Sequence, residues 1–288
     1  MVTKRVHKRQ MLLIDDDYVK QVIEYTVAHC MHEYDLELHA IVTEGNHIHR
    51  VDTDADGKRP KLLQVLHSFL ARQLNRYYDE SDAFFSNKQT NIVHNEAAHD
   101  VLQRIVYTMG NPVADGIERE GKNHKGIRMR WPQPDRVIKR PVGFWRPLEK
   151  GGTMPDEVVL RFSRPPGFEG LSDEELDDLI EKRVLAYEKA HRDKRDREGK
   201  KFRSDVTDQR PDPKSYPRSP HTLFRLAPLI GALVKKQRLA AIARLRIFRE
   251  KHEAARLRKK AGEDSVVFPH GTYLAVQRWN VLVDPAPT

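Results

Sequence analysis

The chain predicts an α+β fold, an antiparallel sheet with helices on one face, continued by a largely helical and basic C-terminal region. Two observations carry this. Up to about residue 127, stretches with helical apolar spacing interleave with short alternating ones. Beyond Gly116 the composition shifts to Arg, Pro and Trp, and then to long charged segments. At 288 residues the chain suffices for one large domain or two small ones with a real core.

Taken in order, "RQMLLI" (9–14) supplies a first strand. In residues 17–34, Val19, Val22, Ile23, Val27 and Cys30 recur at helical spacing. Leu36, Leu38, Ala40 and Val42 then alternate with Glu37, His39, Ile41 and Thr43, as in a half-buried strand. Glu44-Gly45-Asn46 is turn chemistry, and "HIHRV" follows as a second strand, so the pair predicts a hairpin. Residues 59–78 form a helix with Leu62, Leu63, Leu66, Leu70 and Leu74 on one side. "DAFFSNKQTNIVHN" (82–95) offers another strand. The segment 96–116 begins as a helix and stops near Asn111-Pro112, because a residue before proline leaves the α region. The order β-α-β-β-α-β-α resembles a ferredoxin-like arrangement.

Three regions follow from this: 1–127 as the compact domain, 128–150 as a basic Pro/Trp-rich arm or linker, and 151–288 as a charged helical region. Within the last, "VVLRFS" is a strand candidate. Ser172 and Glu175 form a capping-box pattern that opens a charged helix ended by Gly199. Residues 200–221 read as a polar connector, 226–260 as a second long helix, and "VVFPHGTYLAVQRWNVLV" as a terminal β-hairpin.

Composition narrows the function classes. A net charge of +9 and a pI near 9.5 point to an anionic partner, of which nucleic acid is the commonest soluble one. The single cysteine, Cys30, excludes a disulfide framework or a cysteine-rich zinc site within the chain and fits a reducing compartment. The basic N-terminus gives way to three aspartates too soon for a signal peptide, and no segment approaches a membrane span. The expectation is a soluble cytoplasmic protein with no membrane partner.

The chemistry begins at "NHIHR". Alternation on a strand points His47 and His49 the same way and Ile48 the other. Two imidazoles so placed can share a divalent cation and leave positions open for substrate oxygens, although the same pattern also occurs on ordinary surface strands. In the 96–111 helix the apolar stripe is Leu102, Ile105, Val106 and Met109. Tyr107 lies off it, with Gln103, Arg104 and, one turn on, Asn111. It is either an exposed surface tyrosine or a phenol presented to a cleft with polar helpers. A phenol that attacks phosphorus must lose a proton from a pKa near ~10 and needs a cation to polarise the phosphoryl group.

"LELHAIVTEGNHIHRVDTD", "HSFLARQLNRYY" and "RIVYTMGNPVADGI" resemble, in order and spacing, the single-tyrosine HUH transposases, above all bacterial relatives associated with repeated extragenic palindromes. The likeness covers roughly residues 5–125, and "VVFPHGTYLAV" is similar to C-terminal extensions of proteobacterial members. It implies a metal-dependent transposase or nickase that cleaves and rejoins single-stranded DNA at hairpin-forming or palindromic repeats through a 5′-phosphotyrosine link. Carried over by motif, Tyr107 is the nucleophile, and His47 and His49 are metal ligands with Asn111 as a third. Gln103 and Arg104 neighbour the phosphate, and the cation is Mg²⁺ or Mn²⁺, with no organic cofactor. A homodimer acting in trans is also within the family's range. The chain departs from the pattern at Arg50, where an apolar residue is usual; it is a DNA contact or a mark of decay. Asn111 departs too, since it sits where Pro112 interrupts the helix. The alternative is a catalytically inactive, domesticated DNA-binding protein of the same fold.

The basic half supplies the remaining candidates. Residues 235–260 hold eleven Lys and Arg against two Glu, with Leu233, Val234, Ala241, Leu245 and Phe248 on one side. Such a helix is a solvated face or a phosphate-tracking surface, to which Lys235, Lys236 and Arg244 belong. The 128–150 arm mixes Arg130, Trp131, Phe144 and Trp145, a combination suited to stacking on single strands, or to packing on the domain.

Overall fold

The computed structural model describes residues 1–87, 90–144, 154–207, 209–217 and 229–285. Five strands form one sheet in the order β4-β1-β3-β2-β6: β1 (Val2–Arg5), β2 (Glu37–Glu44), β3 (His47–Thr53), β4 (Asn91–Ile92) and β6 (Arg128–Arg130). Every pairing in it is antiparallel. The architecture is thus mixed α+β with an antiparallel sheet. No helix among the described residues is long and apolar enough to cross a membrane.

The helices α1 (Asp17–Tyr34) and α2 (Arg59–Tyr78) follow the apolar spacing closely. Asp16 caps α1 by accepting from the Val19 amide at 3.1 Å, and both helices end on an Asp in the left-handed region, Asp35 and Asp79. The two helices pack together over one face of the sheet. The third helix, α3 (Ala98–Ala114), lies on the other face, where Tyr107 meets His49. That corrects the expectation of a single helical layer. A further helix, α4 (Asp173–Arg197), covers α3 by burying Leu176, Ile180 and Val184. The capping box at its start forms in both directions, at 3.2 and 2.8 Å.

Four more expectations are corrected. The first strand is Val2–Arg5, not 9–14; Lys8 and Arg9 adopt positive φ, which breaks extension there, while Leu12 and Leu13 are buried in a loop. The third helix runs through Pro112 to Ala114 instead of stopping at Asn111. The arm is no linker: β6 extends the main sheet, and β7 (Arg136–Lys139) pairs with β8 (Glu157–Leu160) beside α1. The terminal hairpin is instead a parallel pair, β10 (Val267–Phe268) with β11 (Leu282–Val283), bridged by the short α6 (Leu274–Trp279). Parallel strands need a crossover of that kind.

The segment leading into the last long helix is tied to the start of α3. There β5 (His94–Asn95) pairs with β9 (Ile230–Gly231), and the buried Asp100 carboxylate accepts from the Leu233 amide at 2.7 Å and from the Ala97 amide at 3.1 Å. The helix α5 (Lys235–Lys260) leaves from there with only Ala241 and Ala255 buried. Of the apolar side proposed for it, Leu233 and Val234 are exposed.

Candidate metal and nucleophile site

The site starts at a tight turn. Glu44 pairs with His47 and Val42 with His49 across the β2–β3 hairpin, so Gly45 and Asn46 alone form the loop. Glu44, read from the sequence as part of the turn, is therefore the last strand residue. Its side chain stands on the same face as the two histidines. The rings of His47 and His49 lie 4.6 Å apart between centroids at 86°. Asn46 Oδ1 lies 2.7 Å from His47 Nδ1; an amide oxygen only accepts, so Nδ1 carries the proton and Nε2 the lone pair. Nε2 faces Glu44 Oε2 at 3.5 Å. Thr3 Oγ1, from the neighbouring strand β1, holds His49 Nδ1 at 2.8 Å.

Helix α3 crosses this face and brings three residues at successive turns: Tyr107, Asn111 and Asp115. The Tyr107 ring meets His49 edge-on, 5.6 Å between centroids at 89°. Because the helix continues through Pro112, Asn111 stays one turn below Tyr107, near Glu44. Asp115, the C-cap, closes the group: one ligand atom each of Glu44, His47 and Asp115 all lie within 4.8 Å of one another. Glu44 is 2% exposed, and neither of its oxygens makes a well-formed hydrogen bond. Burial first, and then the Asp115 charge, push its carboxyl well above the ordinary range, with the Asn111 amide opposing them. A buried, unsatisfied carboxylate beside an imidazole nitrogen and a second carboxylate is a donor set that fits a divalent cation.

A fourth residue comes from α4. Beside its buried stripe Leu176, Ile180, Val184 stands the half-buried Tyr187, whose ring lies 6.4 Å from that of Tyr107 and 4.4 Å from His191. Tyr187 rests on Gly110, where a Cβ would overlap its ring. Burial first, then Tyr107, Asp115 and Glu44, push the Tyr187 phenol up to about 12.

The structure thus gathers His47, His49, Tyr107 and Asn111 on one face, and on that face His47 also lies within cation distance of Glu44 and Asp115. Gln103 is half-buried one turn before Tyr107. Arg104 turns toward the β5–β9 edge, where its guanidinium occupies the space above Gly231. Arg50, expected at the DNA, is corrected: it points to the opposite face, is 3% exposed, and bonds Asp52 at 2.6 Å, with Arg59 on the other Asp52 oxygen at 2.7 Å. Burial pushes Asp52 up, but Arg50 and Arg59 overcome it and hold the carboxyl down at about 2. Trp131 is buried rather than offered for stacking, with Arg164 5.8 Å above its ring. Arg130 is held by Asp177 and Glu181 of α4, at 2.5 and 2.9 Å. Trp145 lies outside the described residues. Lys235 and Lys236 are exposed, and Arg244, also exposed, pairs with Glu96 just ahead of α3. His39 is buried and spans Ser163 O and Thr53 Oγ1, each at 2.8 Å, so it serves the strand packing.

Sequence reasoning missed Glu44, Asp115 and Tyr187. A two-residue loop would have placed Glu44 opposite His47, and continuing the Tyr107–Asn111 spacing through Pro112 would have reached Asp115. No local signal marks Tyr187, because its role follows from how α4 docks. Comparison with family models, with curated proteins and with solved structures gives no match.

Proposed function

We propose that this protein is a metal-dependent DNA strand-transferase or nickase of the HUH type, on a ferredoxin-like sheet, acting on hairpin-forming single strands with Tyr107 as nucleophile. The observation that carries this is the edge-on seating of Tyr107 on His49, on the face where Glu44, His47 and Asp115 converge. The strand order β4-β1-β3-β2, with split crossovers through α1 and α2, supports the ferredoxin-like reading.

In this reading Glu44, His47 and Asp115 hold the cation, and Asn111 steadies Glu44. A bound Mg²⁺ or Mn²⁺ supplies Lewis-acid polarisation of the scissile phosphate. The Tyr107 oxygen gives up its proton to solvent and forms the new bond to phosphorus as the bond to the 3′ oxygen breaks; the departing oxygen takes a proton from solvent and leaves as a 3′-hydroxyl, with the 5′ end on the tyrosine. His49, fixed by Thr3, sets the direction of the phenol. Exposed basic residues of α5, Lys235 and Lys236 among them, contact the DNA backbone. Arg50 no longer speaks for a decayed enzyme, since it is a buried partner of Asp52 on the far face.

Labelled hairpin-bearing single strands incubated with Mn²⁺ and run on denaturing gels test this. A covalent adduct should form with the wild-type chain and vanish in Tyr107→Phe. Tight binding without an adduct on every palindromic strand tried would leave a binding-only protein of the same fold.

A further inference from the structure

The charged helix α4 lies outside the sheet domain read from the sequence, yet it contributes to the face that holds Tyr107. Its buried stripe steps from Leu176 to Ile180 to Val184 to Glu188, which fastens it along α3, and the half-buried Tyr187 stands beside it. The docking is pinned further along by Glu188, which is buried and pairs with Arg128 of β6 at 3.1 Å while accepting from the Gly121 amide at 3.3 Å. Tyr187 is therefore placed by two independent anchors on either side of it.

Its seat is specific. Gly110 is the only residue type that leaves room for the ring, since any Cβ there would overlap it. The ring then meets Tyr107 at 70°, one turn before Gly110 on the same helix, and His191 on its other side. The half-buried Tyr187 ring is thereby held against the Tyr107 ring, 6.4 Å between centroids. A surface tyrosine at the same helix position would point to solvent and have no need for a glycine opposite.

Resting on the reading of Tyr107 as nucleophile, we propose that Tyr187 is a positioning residue: its hydroxyl donates a hydrogen bond to the Tyr107 oxygen and holds that oxygen in line with the scissile phosphate. The site is then completed by α4, and the sheet domain alone carries only part of it. A proton donor beside the attacking oxygen orients its lone pairs, and misplacement of a reacting group by about 1 Å costs on the order of 10²-fold in rate.

Two substitutions in the full chain test this. Tyr187→Phe keeps the ring on Gly110 and removes only the hydroxyl. Gly110→Ala keeps the hydroxyl and displaces the ring. Both should slow adduct formation with Mn²⁺ and hairpin DNA, about tenfold for Tyr187→Phe, at unchanged KM for DNA and unchanged thermal midpoint for Tyr187→Phe. The double variant should be no slower than the more affected single one, since both act through one contact. A second readout does not depend on turnover: in protein labelled with 3-fluorotyrosine, the Tyr107 resonance, identified by its loss in Tyr107→Phe, should shift in Tyr187→Phe. Wild-type rate in Tyr187→Phe, or an unmoved Tyr107 resonance, overturns the proposal. If the wild-type chain forms no adduct at all, the nucleophile reading fails, and the resonance by itself decides whether Tyr187 holds Tyr107.

Discussion

Glu44 is where the chemistry of the site is most exposed to measurement. Its carboxyl is raised well above the ordinary 4.5 because burial, and then Asp115, disfavour the charge. The folded chain without a cation therefore keeps a proton that the unfolded chain releases. This contribution to stability is fully present below about 4.5 and is lost as pH rises through the folded value. In chelator-treated protein the thermal midpoint should fall as pH rises from about 4.5 toward neutral, and Glu44→Gln should flatten that fall. Mn²⁺ should raise the midpoint of the wild-type chain at neutral pH, since it binds only the folded state, and should raise that of Glu44→Gln much less. A metal response in Glu44→Gln equal to the wild type would remove Glu44 from the ligand set. On the far face, Asp52 illustrates the opposite case: burial is the largest single influence on its carboxyl, but Arg50 and Arg59 together outweigh it.

Among the elements, α3 decides the site. Pro112 lacks the N–H that would bond the Thr108 carbonyl, and a proline inside a helix costs about 3 kcal/mol. The helix continues nonetheless, since Leu102, Ile105, Val106, Met109 and Val113 are buried around it. Continuation is what carries Asn111 and Asp115 to the histidines. Pro112→Ala should raise stability by about 2 kcal/mol, the helix gain less the roughly 1 kcal/mol that proline removes from the unfolded chain's freedom. It should at the same time weaken Mn²⁺ binding by re-aiming Asp115. Denaturant melts and a binding titration on the same variant check both. A variant that is destabilised would show that the proline is accommodated without cost.

Across the whole molecule, charge and core are separated. The sheet, α1 to α4 and the β7–β8 pair share one core, whereas α5 buries only two alanines and carries its cations outward. In the proposed function, affinity for an anionic strand is assigned to α5 and chemistry to the sheet. Lys235→Ala with Lys236→Ala should lower the salt dependence of single-strand binding by about 1.4 in log–log slope, at about 0.7 for each phosphate that goes unneutralised. The adduct yield at saturating DNA should stay as it was. Fluorescence anisotropy across a salt series reads the slope; an unchanged slope would place the phosphate-binding cations elsewhere.

How much could be read in advance depends on the range of the interactions. Helices α1, α2 and α4 were legible because their apolar spacing and caps are local, as Asp16 and Ser172 show. The β2–β3 hairpin and the shared direction of His47 and His49 follow from alternation alone, and so does the departure of Tyr107 from the apolar stripe of its helix. The first strand was misplaced because apolar residues 11–14 are buried in a loop, and burial without hydrogen-bond pairing gives the same composition as a strand. The fates of Arg50, Arg130 and Trp131 were not legible. A cation or an aromatic ring carries no mark of whether its neighbours in space will be carboxylates, core or solvent, and Asp52, Asp177 and Arg164 reach them only through tertiary packing. Local patterns suffice for an α+β chain with two co-facing imidazoles and a polar-faced tyrosine. That Glu44 and Asp115 join His47, and that α4 seats Tyr187 on Gly110, depends on long-range packing, because those contacts join residues whose nearness no local pattern encodes.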